Sequence, residues 1–115
     1  MTLEEKVLGD VAVISIGGEY DTLEVERFEE AVTSLLGRKV VRVVVSLEKL
    51  TFINSTALGS FIREQDRLQQ AGGDLACAAL SPFAAKTFRI LGLDQKVRCL
   101  KTTEEAVAGL RAGAR

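Results

Sequence analysis

Apolar and polar residues fall along this chain in blocks, and each block has the period of one kind of element. Residues 3–8 predict a short strand. Gly9-Asp10 predicts a tight turn into a second strand at 11–16, because glycine tolerates the positive φ such hairpins need. Ala12, Ile14 and Ile16 share one face of that strand, and Val11, Val13 and Ser15 the other. Gly17-Gly18 is expected to end it. In Asp21-Thr22-Leu23-Glu24 an acid precedes a glutamate by one helical turn, a pairing that caps helix N-termini. Val25, Phe28, Val32 and Leu35 then recur on one face of a helix, and Gly37 is placed to end it in the left-handed conformation.

The strongest strand signal is 40–47, where β-branched residues occupy both faces, as in a central strand covered on both sides. Residues 51–54 lead as a loop into a second helix from about 55 to 71. Its inner stripe is Leu58, Phe61, Ile62, Gln65 and Leu68. Its wet side is Arg63, Glu64, Asp66, Arg67, Gln69 and Gln70, and Gly72-Gly73 stops it. Residues 75–80 form another buried strand. Ser81-Pro82 opens a third helix, since proline at the first helical position loses no hydrogen bond. Ala84, Thr87, Phe88 and Leu91 are its inner stripe, with Gly92 as its stop. A last strand at 97–100 and a capping box in Thr102-Thr103-Glu104-Glu105 complete the pattern, the final helix carrying Ala106, Val107 and Leu110. An α/β fold follows: a mixed sheet of four to five strands with an N-terminal antiparallel hairpin and about four helices.

Composition narrows the chemistry. The 115 residues suit a single domain, 1–115, large enough to form a core without staples. Fifteen Lys and Arg against sixteen Asp and Glu leave no basic excess, so no nucleic-acid partner is expected. The chain has no histidine, which removes the usual general base and the commonest metal ligand. No catalytic residue, cofactor or metal site is expected. Cys77 and Cys99 lie apart in apolar surroundings and read as small buried hydrophobes of a reducing compartment. The N-terminal residues have no long apolar stretch and no segment is long enough to insert in a membrane, so a cytoplasmic location is expected.

The informative stretch runs from Val43 to Gly59: a buried strand, a short loop, then a helix starting at Asn54-Ser55-Thr56. Three small polar side chains crowd one helix N-terminus. One reading is capping alone, because Asn, Ser and Thr all satisfy free N–H groups there. The other is modification: a phosphoryl group on a hydroxyl here adds charge at an exposed point that favours it, and leaves the core intact.

Gly18-Glu19-Tyr20-Asp21 resembles the G-E-L-D of the STAS domains. Residues 46–53 resemble their L-x-L-x-x-L-x-F-[IM], and Asn54-Ser55-Thr56-Ala57-Leu58-Gly59 their D-S-[ST]-G-L-G. Gln70-Ala71-Gly72-Gly73, Leu80-Ser81-Pro82 and Leu91-Gly92-Leu93 follow in the family's order. Within the family, the chain is most similar to the single-domain anti-sigma-factor antagonists. The resemblance implies a STAS fold and a switch protein, not an enzyme. Its partners would be an anti-sigma factor that is also a serine kinase, and a phosphatase. The unphosphorylated form would bind the anti-sigma factor, and phosphorylation at Ser55, or as second choice Thr56, would end the complex. Asp21, Asn54, Ser55, Thr56, Gly59 and Ser81 are the implied partner-binding residues. Two positions depart from the motif: Asn54 stands for its Asp and Ala57 for its Gly. They leave open an alternative, a non-phosphorylated STAS scaffold or accessory subunit of a stress-signalling assembly or a transporter complex. The oligomeric state is not legible.

Overall fold

A computed structural model describes residues 1–111. The chain runs β1 (Thr2–Leu8), β2 (Val11–Tyr20), α1 (Val25–Gly37), β3 (Arg42–Ser46), β4 (Leu50–Ile53), α2 (Ser55–Gln70), β5 (Asp74–Ala78), α3 (Pro82–Ile90), β6 (Arg98–Leu100) and α4 (Thr103–Leu110). Short 3-10 turns at Thr22–Glu24 and Leu93–Gln95 precede α1 and β6. The sheet has six strands in the order β1-β2-β3-β5-β6, with β4 also on β2. β1 and β2 are antiparallel, and every other pairing is parallel. The expected α/β class with its opening hairpin is present, as are four α-helices.

The sixth strand, β4, pairs with an unexpected extension of β2. Gly17 and Gly18 do not end it. Gly18 adopts φ +78°, the register shifts between Gly18 and Glu19, and the strand resumes to Tyr20. The first half of β2 pairs with β3, from Val11 opposite Arg42 to Ser15 opposite Ser46. Its last residues, Glu19 and Tyr20, pair with Phe52 and Ile53. The stretch expected to be a loop is therefore the short strand β4. A β-branched or aromatic segment pairs wherever a neighbouring backbone edge is offered.

Both sheet faces are covered. On one face Ala12, Ile14, Ile16, Val43, Val45, Leu75 and Cys77 pack with residues of α1, α2 and α3. On the other, Val11, Val13, Val44, Ala76 and Ala78 pack under Ala106, Val107 and Leu110 of α4. Tyr20, Phe28, Phe61 and Phe88 form the aromatic centre of the larger layer, with ring centroids 5.4–6.2 Å apart. Such edge-on and tilted pairs contribute about 0.5–1.5 kcal/mol each beyond their buried area. Cys77 and Cys99 are free thiols opposite each other on β5 and β6. Burial pushes both upward, Cys99 to about 11.

Four local expectations are corrected. Gly37 remains inside α1, and the left-handed residue after that helix is Lys39, φ +62°. Asp21 caps the 3-10 turn, so α1 itself begins only at Val25. Leu91 lies outward, 57% exposed, because α3 ends at Ile90 and the helical stripe no longer applies to it. Glu64, placed on the wet side of α2, is buried, because α1 packs against that flank. Arg67 Nη1 donates to Glu64 Oε1 at 2.5 Å, and Arg67 Nη2 donates to Thr33 Oγ1 of α1 at 2.8 Å. Burial raises the Glu64 pKa, and Arg67 opposes that rise. The sign is unfavourable to the ionised form: stability from this group falls as pH rises from the ordinary glutamate range through the raised one.

Candidate functional site

The site forms where β2 and β4 end side by side and α2 begins. Asn54 is the N-cap of α2, with the extended backbone (φ −99°, ψ 172°) that a cap requires. Its Oδ1 accepts the Ala57 N–H at 2.9 Å, and its Nδ2 donates to Thr22 Oγ1 at 3.0 Å. The second bond joins the α2 cap to the turn that Asp21 caps, where Asp21 Oδ1 accepts the Leu23 N–H at 3.1 Å. An aspartate in the family's position would meet Thr22 only by accepting its hydroxyl proton. Asparagine keeps the cap, donates in that tie and removes a carboxylate from beside Ser55.

Ser55 and Thr56 follow as the first two residues of α2, and both are exposed. Neither side chain hydrogen-bonds to a described residue. Capping is done by Asn54, so the Ser55 hydroxyl lies at the positive end of the helix with nothing holding it. Ala57, which replaces the motif's glycine, is completely buried in the core. Its extra methyl packs inward and does not narrow the approach to Ser55.

A clamp beneath this turn was not foreseen. Tyr20, at the position of the family's leucine, shares a 2.6 Å hydrogen bond between its hydroxyl and Ser60 Oγ. Ser60 Oγ also donates to the Ala57 carbonyl at 2.5 Å, and the Tyr20 carbonyl accepts the Asn54 N–H at 3.4 Å. One buried residue of β2 therefore holds both the cap and the first turn of α2. Burial raises the Tyr20 phenol far above its usual range, so it stays neutral and, with the Ser60 proton given to Ala57, donates to Ser60 Oγ. A tyrosine where the motif has leucine was the available signal; its partner lies 40 positions away and could not be named.

Gly59 lies on the near flank of the site. With Ser55, Leu58, Ile62, Leu91, Leu93 and Lys96 it lines an open groove of about 230 Å³. Ser81 is engaged elsewhere. Its Oγ accepts the Ala84 N–H at 3.1 Å as the cap of α3 and donates to the Leu50 carbonyl of β4 at 2.9 Å. The structure thus brings Asn54, Ser55, Thr56 and Gly59 together, joins Asp21 to them through Thr22, and gives Ser81 a structural task.

The large apolar side chains left exposed among the described residues are Leu23, Phe52, Phe83, Ile90 and Leu91. Leu23, Phe52, Phe83 and Leu91 connect to this end of the molecule. Leu23 is on the turn tied to Asn54. Phe52, two residues before the cap, stacks on Phe83 of α3 with centroids 6.5 Å apart. Leu91 lines the groove beside Ser55, with Ile90 adjacent. Ile53 is buried as a core anchor, whereas Phe52 is 44% exposed. Exposed apolar side chains gathered beside small polar residues are the kind of patch that marks a protein-binding surface.

The family model described as STAS domain matches residues 2–106. This chain belongs to the STAS domain family. It is 27% identical over 103 residues to the anti-sigma-F factor antagonist RsfB of Mycobacterium tuberculosis, covering 90% of this chain and 84% of the relative. It is 29% identical over 91 residues to the anti-sigma-B factor antagonist of Staphylococcus aureus, covering 79% and 84%. The fold superposes on the unphosphorylated anti-sigma factor antagonist SpoIIAA with a TM-score of 0.81 at 22% identity, covering 99% of this chain and 100% of that one. It superposes on the phosphorylated form of the Bacillus cell fate determinant SpoIIAA at 0.73 and 23% identity, covering 96% and 100%.

Proposed function

We propose that this chain is a cytoplasmic, single-domain anti-sigma-factor antagonist switched by phosphorylation of Ser55. Unphosphorylated, it binds an anti-sigma factor through the apolar rim around the start of α2. That partner is also a serine kinase, and it supplies ATP, magnesium and the base that takes the Ser55 proton. The γ-phosphoryl group of ATP passes to Ser55 Oγ with ADP as the leaving group, the new charge ends the complex, and a phosphatase hydrolyses the phosphoserine ester with water to restore the hydroxyl. Thr56 is the second candidate hydroxyl. The observation that carries this reading is the exposed Ser55 side chain, free of any hydrogen bond to a described residue and lining an apolar groove with Leu58, Ile62, Leu91 and Leu93. The names of the relatives support the antagonist role, and SpoIIAA supports a fold of this kind accepting the modification.

The test is Ser55→Asp titrated calorimetrically against the cognate anti-sigma factor. Affinity falls by at least about a hundredfold, as burying an unpaired charge in an apolar interface costs several kcal/mol, while far-UV circular dichroism is unchanged. Undiminished binding would refute the charge switch. A second reading is a non-phosphorylated scaffold or accessory subunit of a stress-signalling or transporter assembly, which Asn54 in place of the motif's Asp favours. Intact-mass measurement after incubation with the serine kinases of the same genome separates the two. One added phosphate at Ser55 supports the switch, and an unchanged mass supports the scaffold.

A further inference from the structure

The groove beside Ser55 has an apolar floor and one charged wall. Leu58, Ile62, Leu91 and Leu93 supply the floor, and Lys96 is the only ionisable residue among those lining it. Lys96 has no carboxylate partner among the described residues. Asp94, two positions earlier, is close enough to Cys99 to raise its thiol. The Lys96 backbone is held, its N–H donating to the Leu93 carbonyl at 2.9 Å, while its side chain is exposed and free to turn. Lysine and serine thus face one hollow, with hydrocarbon between them and no acid along its lining.

We propose that Lys96 receives the phosphoryl group carried by Ser55, so that the modified protein closes its own apolar groove with an intramolecular ion pair. The inference rests on the reading of Ser55 as a phosphorylated residue, and it adds how the charge is felt. Before modification the ammonium pairs with no carboxylate of the described residues, and the groove is open to a partner's apolar side chain. Afterwards the phosphoryl oxygens and the ammonium attract each other across a hollow that excludes part of the water, which strengthens the pair over one on a flat surface. The lysine stem then lies over Leu58 and Ile62. Phosphorylation would in this way both add charge to the binding face and cover an apolar contact.

The test places phosphoserine at position 55 by genetic encoding and follows its titration by phosphorus NMR, with Lys96 intact, in Lys96→Met and in Lys96→Arg. Methionine keeps the stem and removes the charge; arginine restores the charge. With Lys96 present, the second phosphate pKa is lower than in Lys96→Met by about half a unit at low salt. Arginine recovers the lower value, and added salt narrows the gap. The amide signals of Leu58, Gly59 and Ile62 move on phosphorylation in the native protein and in Lys96→Arg, but much less in Lys96→Met. Equal titrations with and without the lysine charge, or amide shifts indifferent to it, overturn the proposal. Circular dichroism confirms that each variant is folded. Because no kinase is used, a kinase that ignores Ser55 counts against the function proposed above, and a Lys96-independent titration counts against this inference alone.

Discussion

Asn54-Ser55-Thr56-Ala57 and Ser81-Pro82-Phe83-Ala84 each place a small polar side chain at the start of a helix that follows a strand. Their hydrogen bonds separate them. At α3 the cap and the hydroxyl are one residue: Ser81 Oγ accepts from Ala84 and donates to Leu50, which ties α3 to β4. At α2 an asparagine does the capping, so the hydroxyls of Ser55 and Thr56 are surplus to the fold. Structural work and chemical availability exclude each other at a single oxygen. A residue that closes a helix end and anchors a strand is poorly placed to be esterified. One that does neither is available at no cost to stability.

Three substitutions sharpen this contrast, and urea unfolding measures each. Ser81→Ala removes a cap and leaves the Leu50 carbonyl without its side-chain donor, and costs about 2 kcal/mol. A loss below about 0.5 kcal/mol would mean that Ser81 is as free as Ser55 and would erase the contrast. Asn54→Ala removes the α2 cap and its tie to Thr22, and costs about 1 kcal/mol; an unchanged midpoint would show the cap to be replaceable by water or by Ser55 itself. Ser55→Ala changes stability by no more than about 0.5 kcal/mol, as expected of an exposed side chain without partners. A larger loss would make Ser55 a structural residue and remove the basis of the proposed switch.

Much of the fold was legible because periodicity reports burial directly. The alternation in β2, the two-sided valine run of β3 and the stripe Val25, Phe28, Val32 and Leu35 each follow from which side of an element meets the core. What was not legible depends on neighbours distant in the chain. β4 exists because β2 continues past a glycine with positive φ and offers an edge. Glu64 looks like a solvated charge until α1 lies beside it and Thr33 helps hold Arg67. At the site, the crowding of Asn54, Ser55 and Thr56 was visible, but not which of them caps. The Tyr20–Ser60 clamp and the position of Lys96 across the groove were not visible at all.

The order of residues by itself determined the element types, the faces they bury, the STAS resemblance and the helix start that matters, because local spacing and side-chain chemistry are written one residue at a time. Only the tertiary structure decided that Ser81 is bound while Ser55 has no hydrogen-bonding partner among the described residues, that the methyl of Ala57 faces the core, and that Leu91 and Lys96, distant in the chain, share a groove with Ser55. A hydrogen bond or a shared groove joins residues through space, and its partners are set by how the whole chain packs.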